Sequence, residues 1–420
     1  MTALTPVQTK DREIFMDVLR GFAILGIFIA NLGGFSWYGE SAHEPGTFIF
    51  PRADDITSFL HQLFIEGKFY SIFSLLFGWG IALQFKRAED KGINAAPVVR
   101  RRLLFMLLLG ACHLLIWAGD IVFFYALLGF LLFPLRKLSN KTLLITGAVL
   151  VLSPILLYAL KMNFPVLNRP ADWCAEMAMK TGASLSHVHN QEEFMNILQH
   201  GSWWDQLVVN ISGFFFRYNY LFFVSRIPKV LGMFLIGYVI GRSEFFKNIQ
   251  QYKKIVYAVV IGGLLIGLPA NYMLAHYMSK HGADYWQLKT NGLYQTIAYA
   301  LGVAPLALAY TGVFMLAFQS AKGKKRLSIL APVGKMAFSN YIFQTLVGSF
   351  VFLGPGLGYM GKVGPFCYTI FGVIVFIFQI ILSTIWLRYF NFGPLEWLWR
   401  SATYKKWQPM RKRLTINNER

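Results

Sequence analysis

Apolar residues in this chain gather in long runs separated by short polar stretches. Roughly 20 residues cross a bilayer as a helix, and about ten runs of that order can be marked along the sequence. The first five fall near 14–35, 57–85, 101–118, 120–136 and 142–160. The last five fall near 207–241, 253–275, 294–318, 329–352 and 365–388. The predicted fold is an all-α polytopic membrane protein, with these helices in one bundle. The sixth run is too long for one simple crossing. It is expected to break near Arg226 and Pro228, as an interfacial or re-entrant helix followed by a span, because proline disrupts the helix ladder.

These runs set the organisation of the chain. A polar N-terminal stretch occupies 1–13, the first five spans 14–160, a long polar loop 161–205 and the last five spans 206–390. Residues 391–420 hold an amphipathic helix and a basic tail (PLEWLWR, YKKW, RKR) expected to lie on the membrane surface. A full-length apolar run follows residues 1–13 with no small-residue cleavage site, so no cleavable signal peptide is expected.

Composition agrees with the pattern: 55% of the 420 residues are hydrophobic, and the mean hydropathy is +0.47. Many aromatics, among them Trp37, Tyr38, Trp79, Trp117, Trp386, Trp397 and Trp399, fall at run ends, where interfacial belts form. The net charge of +20 would suit nucleic acid, but its distribution points elsewhere. Basic residues cluster in alternate loops, as in Arg87, Lys91 and Arg100–Arg102, then Arg136, Lys137 and Lys141, then Lys322, Lys324, Lys325 and Arg326. The intervening loops are neutral or acidic. This positive-inside alternation places both termini in the cytoplasm and assigns the charge to topology and anionic lipid, with no nucleic-acid partner. Cys112, Cys174 and Cys367 have neither metal spacing nor a disulfide framework, although one Cys174–Cys367 bridge stays open.

Ionisable groups inside apolar runs carry the candidate chemistry, because hydrocarbon penalises them by a few kcal/mol each. Asp17 and Arg20 open the first run three residues apart, and Asn31 follows Arg20 by three helical turns on the same face. They either hold the helix end together or point Arg20 at an anionic ligand from the cytoplasm. His43, in the following loop, is solvated or a proton acceptor near neutral pH. Glu66 and Lys68 sit two apart on different helix faces, pairing with other helices or serving acid–base work. His113 and Asp120 would share a face if their helix continued past Gly119. A carboxylate there would orient the histidine as a base, or the pair would be structural. Arg217 is a further charge at membrane depth. Asn340 and Gln344, one turn apart, line a cavity or join helices. The loop histidines His187, His189 and His200 lack neighbouring carboxylate spacing, and no metal site is expected.

The segments MDVLRGFAILGIFIAN, EGKFYSIFSLLFGWG, HLLIWAGDIVFFYALLGF, GKMAFSNYIFQTL and IWLRYFNFGPLEWLWRSATY resemble the YeiB-like family of bacterial inner-membrane proteins. That resemblance implies a multi-pass protein of the inner membrane. More distantly, the first span and loop are similar to the integral-membrane acyltransferases, which include heparan-glucosaminide acetyltransferase and sugar O-acyltransferases. Arg20-Gly21, Asn31 and His43 match the acetyltransferase pattern with His43 displaced by one residue, whereas the sugar enzymes carry histidine near the Asn31 position. The resemblance implies an acyl-CoA donor held from the cytoplasm and a small-molecule or lipid-linked acceptor at the outer face.

Three functions follow as expectations. In an acyltransferase, Arg20 and Arg100, Arg101 and Arg102 would bind acyl-CoA phosphates. Asn31 would support the acyl carbonyl, and His43, or His113 backed by Asp120, would accept the acceptor's proton. In a permease or exporter, the same charges would relay substrate and protons. In a lipid- or quinone-binding scaffold they would only shape a site. Membrane lipids are partners in each case. Small-residue stripes such as Gly21 with Gly26 allow a homodimer without singling out its face.

Overall fold

The computed structural model describes residues 14–38, 49–243, 245 and 249–412. Among these residues the protein is all-helical, with no strand beyond an isolated antiparallel bridge between Phe390 and Arg411. The first half runs α1 (Ile14–Ser36), α2 (Pro51–Phe64), α3 (Lys68–Glu89), α4 (Ala96–Ile116), α5 (Val122–Leu135), α6 (Asn140–Asn163), α7 (Arg169–Thr181) and α8 (Gln191–His200). The second runs α9 (Trp203–Phe223), α10 (Arg226–Arg242), α11 (Ile249–His281), α12 (Thr290–Phe318), α13 (Ala321–Leu327), α14 (Ala331–Lys335), α15 (Ala337–Phe352), α16 (Pro365–Tyr389) and α17 (Pro394–Tyr404).

Five of these helices, α1, α6, α11, α12 and α16, are long and apolar enough to cross a membrane. A sixth candidate is the pair α9 and α10, bent by 74°. The sequence pattern predicted more, because helix breaks need not interrupt an apolar run. The run 57–85 is two helices separated at Ile65–Gly67. Gly67 has φ +82°, which favours glycine, and a Cβ there would lie 2.6 Å from the Tyr299 hydroxyl. The run 207–241 breaks at Val224 and Ser225, just before Arg226 and Pro228, with Ser225 at φ +53°. α5 has 14 residues, about 21 Å at helical rise, short of the ~30 Å hydrocarbon thickness. The polar stretch 161–205 holds α7 and α8, which pack on α9.

α1 lies at the centre, contacted by α3, α14, α15 and α16, with Val18, Leu19, Ala23, Ile24, Phe28 and Leu32 fully buried. α10 is held between α3 and α6. At the α3–α10 crossing the backbones touch: a Cβ on Gly78 would strike the Phe234 carbonyl, and one on Gly237 the Leu75 carbonyl. Such small-residue crossings let helices associate through close packing. Gly21 and Gly26 are used in the same way inside the chain, against Leu330 and the Phe69 ring.

The outer faces are apolar. Leu144, Ile145, Val149, Leu152 and Leu156 on α6 are exposed, as are Ile261, Leu265 and Ile266 on α11 and Ile374, Ile377, Phe378 and Ile381 on α16. Water-soluble monomers rarely expose so much contiguous apolar surface, whereas lipid tails solvate it. Cys112, Cys174 and Cys367 are all free thiols, so the bridge left open between Cys174 and Cys367 is not formed.

Candidate functional site

The two helix breaks meet. Ile65–Gly67, between α2 and α3, and the start of α10 both border a cavity of about 1230 Å³ that extends along the C-terminal half of α1. Asn31, His61, Glu66, Tyr70, Arg217 and Arg226 line it. The end of α9 would leave carbonyl groups without partners, since the last turn of a helix has none of its own. Lys161, 5% exposed, supplies them: its Nζ donates to the carbonyls of Phe222 at 2.6 Å and Phe223 at 2.8 Å and to Ser225 Oγ at 3.3 Å. A cation at a helix C-terminus also suits the helix dipole.

Past the break, an aromatic and cationic cage forms. Tyr70 and Tyr299 share a hydrogen bond of 2.9 Å between their hydroxyls. The Arg226 guanidinium stands 4.9 Å from each of their ring centroids and 5.0 Å from that of Tyr220, to whose hydroxyl it donates. Lys229 Nζ lies 3.9 Å from the Tyr299 centroid and has no hydrogen-bond partner. Arg217, near Tyr220 at 5.7 Å, leaves its buried Nε without a partner. Glu66 is the one acidic residue among the described residues lining the cavity.

His61 also faces this cavity, from α2, a helix outside the candidate spans. Its Nε2 lies 2.9 Å from Thr369 Oγ1 and its Nδ1 3.4 Å from the Tyr368 hydroxyl. Burial pushes its pKa down to about 4, against a smaller opposing pull from Glu66, so the ring is neutral at physiological pH.

A second, smaller cavity of about 270 Å³ lies along the N-terminal half of α1. It is basic: Arg20, Arg87, Arg102, Lys335 and Arg400 line it. Arg20 donates to Asp17 Oδ1 at 2.9 Å, so the pair read from the sequence forms and still leaves Arg20 on the cavity wall. The wall is completed by α17, which is fixed to α4 and to α15. Trp399 Nε1 donates to the Arg102 carbonyl at 3.0 Å, with the Arg102 guanidinium 4.4 Å above the Trp399 ring. Glu396 accepts from the Phe338 amide at 2.7 Å and the Ser339 hydroxyl at 2.5 Å, satisfying free donors in the first turn of α15. Burial raises the Glu396 carboxyl, and these hydrogen bonds pull it partly back.

The two cavities share Ile27, Ile121 and Tyr341 as lining residues. One helix, α1, thus carries Arg20 into one chamber and Asn31 into the other, with an apolar partition between them.

Other residues singled out from the sequence lie elsewhere. His113 and Asp120 do meet although α4 ends at Ile116. Nδ1 lies 2.6 Å from Asp120 Oδ2 and Nε2 lies 3.0 Å from Thr345 Oγ1, while the other Asp120 oxygen accepts from the Phe123 amide at 2.6 Å. Both ring nitrogens are engaged and the histidine lines neither cavity. Lys68 is fully buried at the start of α3, donates to the Gln62 carbonyl and also lines neither. Asn340 and Gln344 join helices: Asn340 Nδ2 reaches Ser383 Oγ at 3.0 Å and Gln344 Nε2 reaches Gln379 Oε1 at 2.8 Å, tying α15 to α16. Of the arginine trio, Arg102 alone borders the basic cavity; Arg101 donates to the Thr403 carbonyl at 3.0 Å and Arg100 is exposed. His43 lies outside the described residues.

Sequence reasoning missed Lys161, Arg226 and Lys229 as site residues, together with His61 and the tyrosines. One signal was available. Arg217, Arg226 and Lys229 fall within a single predicted apolar run, and three cations in one run call for a shared partner.

Related proteins align with this chain over nearly its whole length. The chain is 33% identical over 423 residues to an uncharacterised protein of Bacillus subtilis strain 168, YxaH, covering 99% of this chain and 100% of that one. It is 28% identical over 417 residues to an uncharacterised protein of Escherichia coli K12, YeiB, covering 94% and 97%. The chain belongs to the YeiB-like family. Residues 240–406 match the domain family described as a protein of unknown function, DUF418. That domain starts at the end of α10 and runs through α17, so it holds the Glu396 contact but not the α1 residues of either cavity. No solved structure matches the chain.

Proposed function

We propose that this YeiB-like protein is a multi-pass protein of the bacterial inner membrane that passes an acyl group between its two cavities. The carrying observation is their arrangement: they lie end to end along α1, share Ile27, Ile121 and Tyr341, and present Arg20 on one side and Asn31 on the other. The positive-inside pattern supports a cytoplasmic location for the basic cavity and both termini. Acyl-CoA, a polyanion, suits that cavity as donor, with Arg20, Arg102, Arg87, Lys335 and Arg400 toward its phosphates. At about 270 Å³ the cavity falls below the ~300–1,000 Å³ of pockets for drug-sized ligands, so the acyl arm enters and the nucleotide stays at the mouth.

The acceptor occupies the large cavity. Its hydroxyl or amine attacks the thioester carbonyl, the C–S bond breaks, and the acceptor's proton passes through a base to the departing CoA sulfur. Glu66 lines that cavity, and His43 lies five residues beyond Tyr38, which also lines it; these are the proposed bases, whereas His61 has Thr369 and Tyr368 at its two nitrogens. Asn31 is placed to donate to the acyl oxygen. His113 is assigned instead to fixing α4 against α15, because Asp120 and Thr345 occupy its nitrogens.

One observation favours transport as the second reading. The broken candidate span α9–α10 borders the large cavity, and discontinuous spans are what secondary transporters use to bind substrates. Purified protein in nanodiscs, given radiolabelled acetyl-CoA, separates the readings. Transfer requires saturable binding that Arg20→Ala abolishes. No CoA binding across donors, with substrate flux in proteoliposomes, would replace transfer by transport.

A further inference from the structure

Lys229 carries its amine into the interior with nothing to receive its hydrogen bonds. It is 1% exposed, in the first turn of α10. Its aromatic neighbours are a weak substitute, since cation–π contact contributes up to about 2 kcal/mol against a desolvation penalty of several. The residue borders a side chamber of about 110 Å³ that opens toward the large cavity, sharing Gln62, Glu66, Tyr220, Arg226 and Tyr285 with it. The same chamber receives the start of α10, where Ser225 makes no side-chain cap, so the helix presents uncapped amides and the positive end of its dipole. Arg217, with its unpartnered Nε, stands on the adjoining wall.

The charges indicate what fits. Arg217 and Arg226 outweigh Glu66 on the lining, and Lys229 becomes a second uncompensated cation when an anion reaches it. A phosphate monoester carries about −1.5 to −2 at neutral pH with three acceptor oxygens, which matches that excess better than a singly charged carboxylate does. The rest of the large cavity offers Phe69, Phe194, Phe216 and Trp286, a lining for an apolar tail. We propose that the chamber at the α9–α10 break binds the phosphate head of the molecule handled in the large cavity. The inference rests on that cavity being the substrate cavity, and it holds for transfer and for transport alike.

The test uses full-length protein in phosphatidylcholine nanodiscs, probed with lysophosphatidate, with uncharged monoacylglycerol and with inorganic phosphate. Lysophosphatidate should bind and raise the thermal midpoint, and monoacylglycerol should not. Lys229→Met should weaken lysophosphatidate at least about tenfold, the scale of one lost charge-assisted hydrogen bond. It should also leave the ligand-free midpoint at or above that of the wild type, because it removes a buried polar group that has no partner. Arg217→Gln should weaken binding as well, a second reading should Lys229→Met fail to fold. Competition by inorganic phosphate would assign the site to the free anion, and binding of lysophosphatidate alone to an amphiphile; either supports the site. No binding of either phosphate probe, or equal binding by wild type and both variants, overturns it. Acetyl-CoA binding measured on the same preparations separates the two proposals: its failure alongside Lys229-dependent phosphate binding would remove acyl transfer and leave this site standing.

Discussion

Replacing Gly67 by alanine tests whether the break between α2 and α3 is rigid. The residue has φ +82°, where a non-glycine backbone costs roughly 1–2 kcal/mol. The new methyl would also stand 2.6 Å from the Tyr299 hydroxyl and 2.9 Å from Val303 Cγ1. Tyr299 cannot swing aside freely, because it is bonded to Tyr70 at 2.9 Å and lies under Lys229 and Arg226 at 3.9 and 4.9 Å. Overpacking of this kind costs about 1–3 kcal/mol, so the total is about 2–5 kcal/mol. The assay is unfolding in mixed micelles followed by tryptophan fluorescence, with Gly34→Ala as control. Gly34 is helical in α1 and a Cβ there meets nothing within 4 Å. That control should be neutral or stabilising by up to about 1 kcal/mol from helix propensity. Gly67→Ala combined with Tyr299→Phe should recover part of the steric cost and none of the backbone cost. Equal stabilities for Gly67→Ala and Gly34→Ala would refute the reasoning, since the break would then yield without disturbing the cage.

His61 has a folded pKa near 4 against 6.5 when free, so the unfolded chain binds its proton first. Stability should therefore fall as pH drops from 6.5 toward 4, and His61→Gln should flatten that part of a midpoint-against-pH curve. Glu396→Ala removes the acceptor for the Phe338 amide and the Ser339 hydroxyl, and should cost about 1–3 kcal/mol. Limited proteolysis should then release the chain beyond α16 sooner than in wild type. Tyr341→Ala should open the partition between the cavities, seen as leak of a small organic solute through proteoliposomes; an unchanged barrier would mean that Ile27 and Ile121 close it unaided.

Some of this architecture was legible from local sequence. Apolar runs located the long helices α1, α6, α12 and α16, because a lipid-facing helix must be apolar over its whole length. The break before Arg226 was legible too, since Pro228 and a charge interrupt an overlong run. Gly67 gave no such warning: the residue that forbids a side chain there, Tyr299, is more than two hundred positions away. His113 and Asp120 meet without the continued helix on which the spacing argument depended, and their partner Thr345 sits on α15, so the closed state of the histidine could not be foreseen. Asn340 and Gln344 share a helix face by spacing alone. Whether that face meets a cavity or Gln379 and Ser383 is set by how α15 docks on α16. The cage at Arg226 needs α3, α9, α10 and α12 assembled at once, and no local pattern encodes it.

The placement of charge along α1 bears on what crosses between the chambers. Cations gather at both ends of the path, Arg20 and Arg102 in one cavity and Arg217 and Arg226 in the other, whereas the shared wall is two isoleucines and a tyrosine. A phosphate moving through that wall would leave its compensating cations and enter a region with no charge to replace them, at a cost of several kcal/mol or more. A short acyl chain carries no charge and loses nothing there. His113 reinforces the wall: its ring packs edge-on at 5.1 Å against Tyr341 and is itself pinned by Asp120 and Thr345. An apolar partition flanked by two chambers with cationic linings fits the proposed passing of a neutral group between two anchored molecules better than moving either molecule whole, and this ranks transfer above transport.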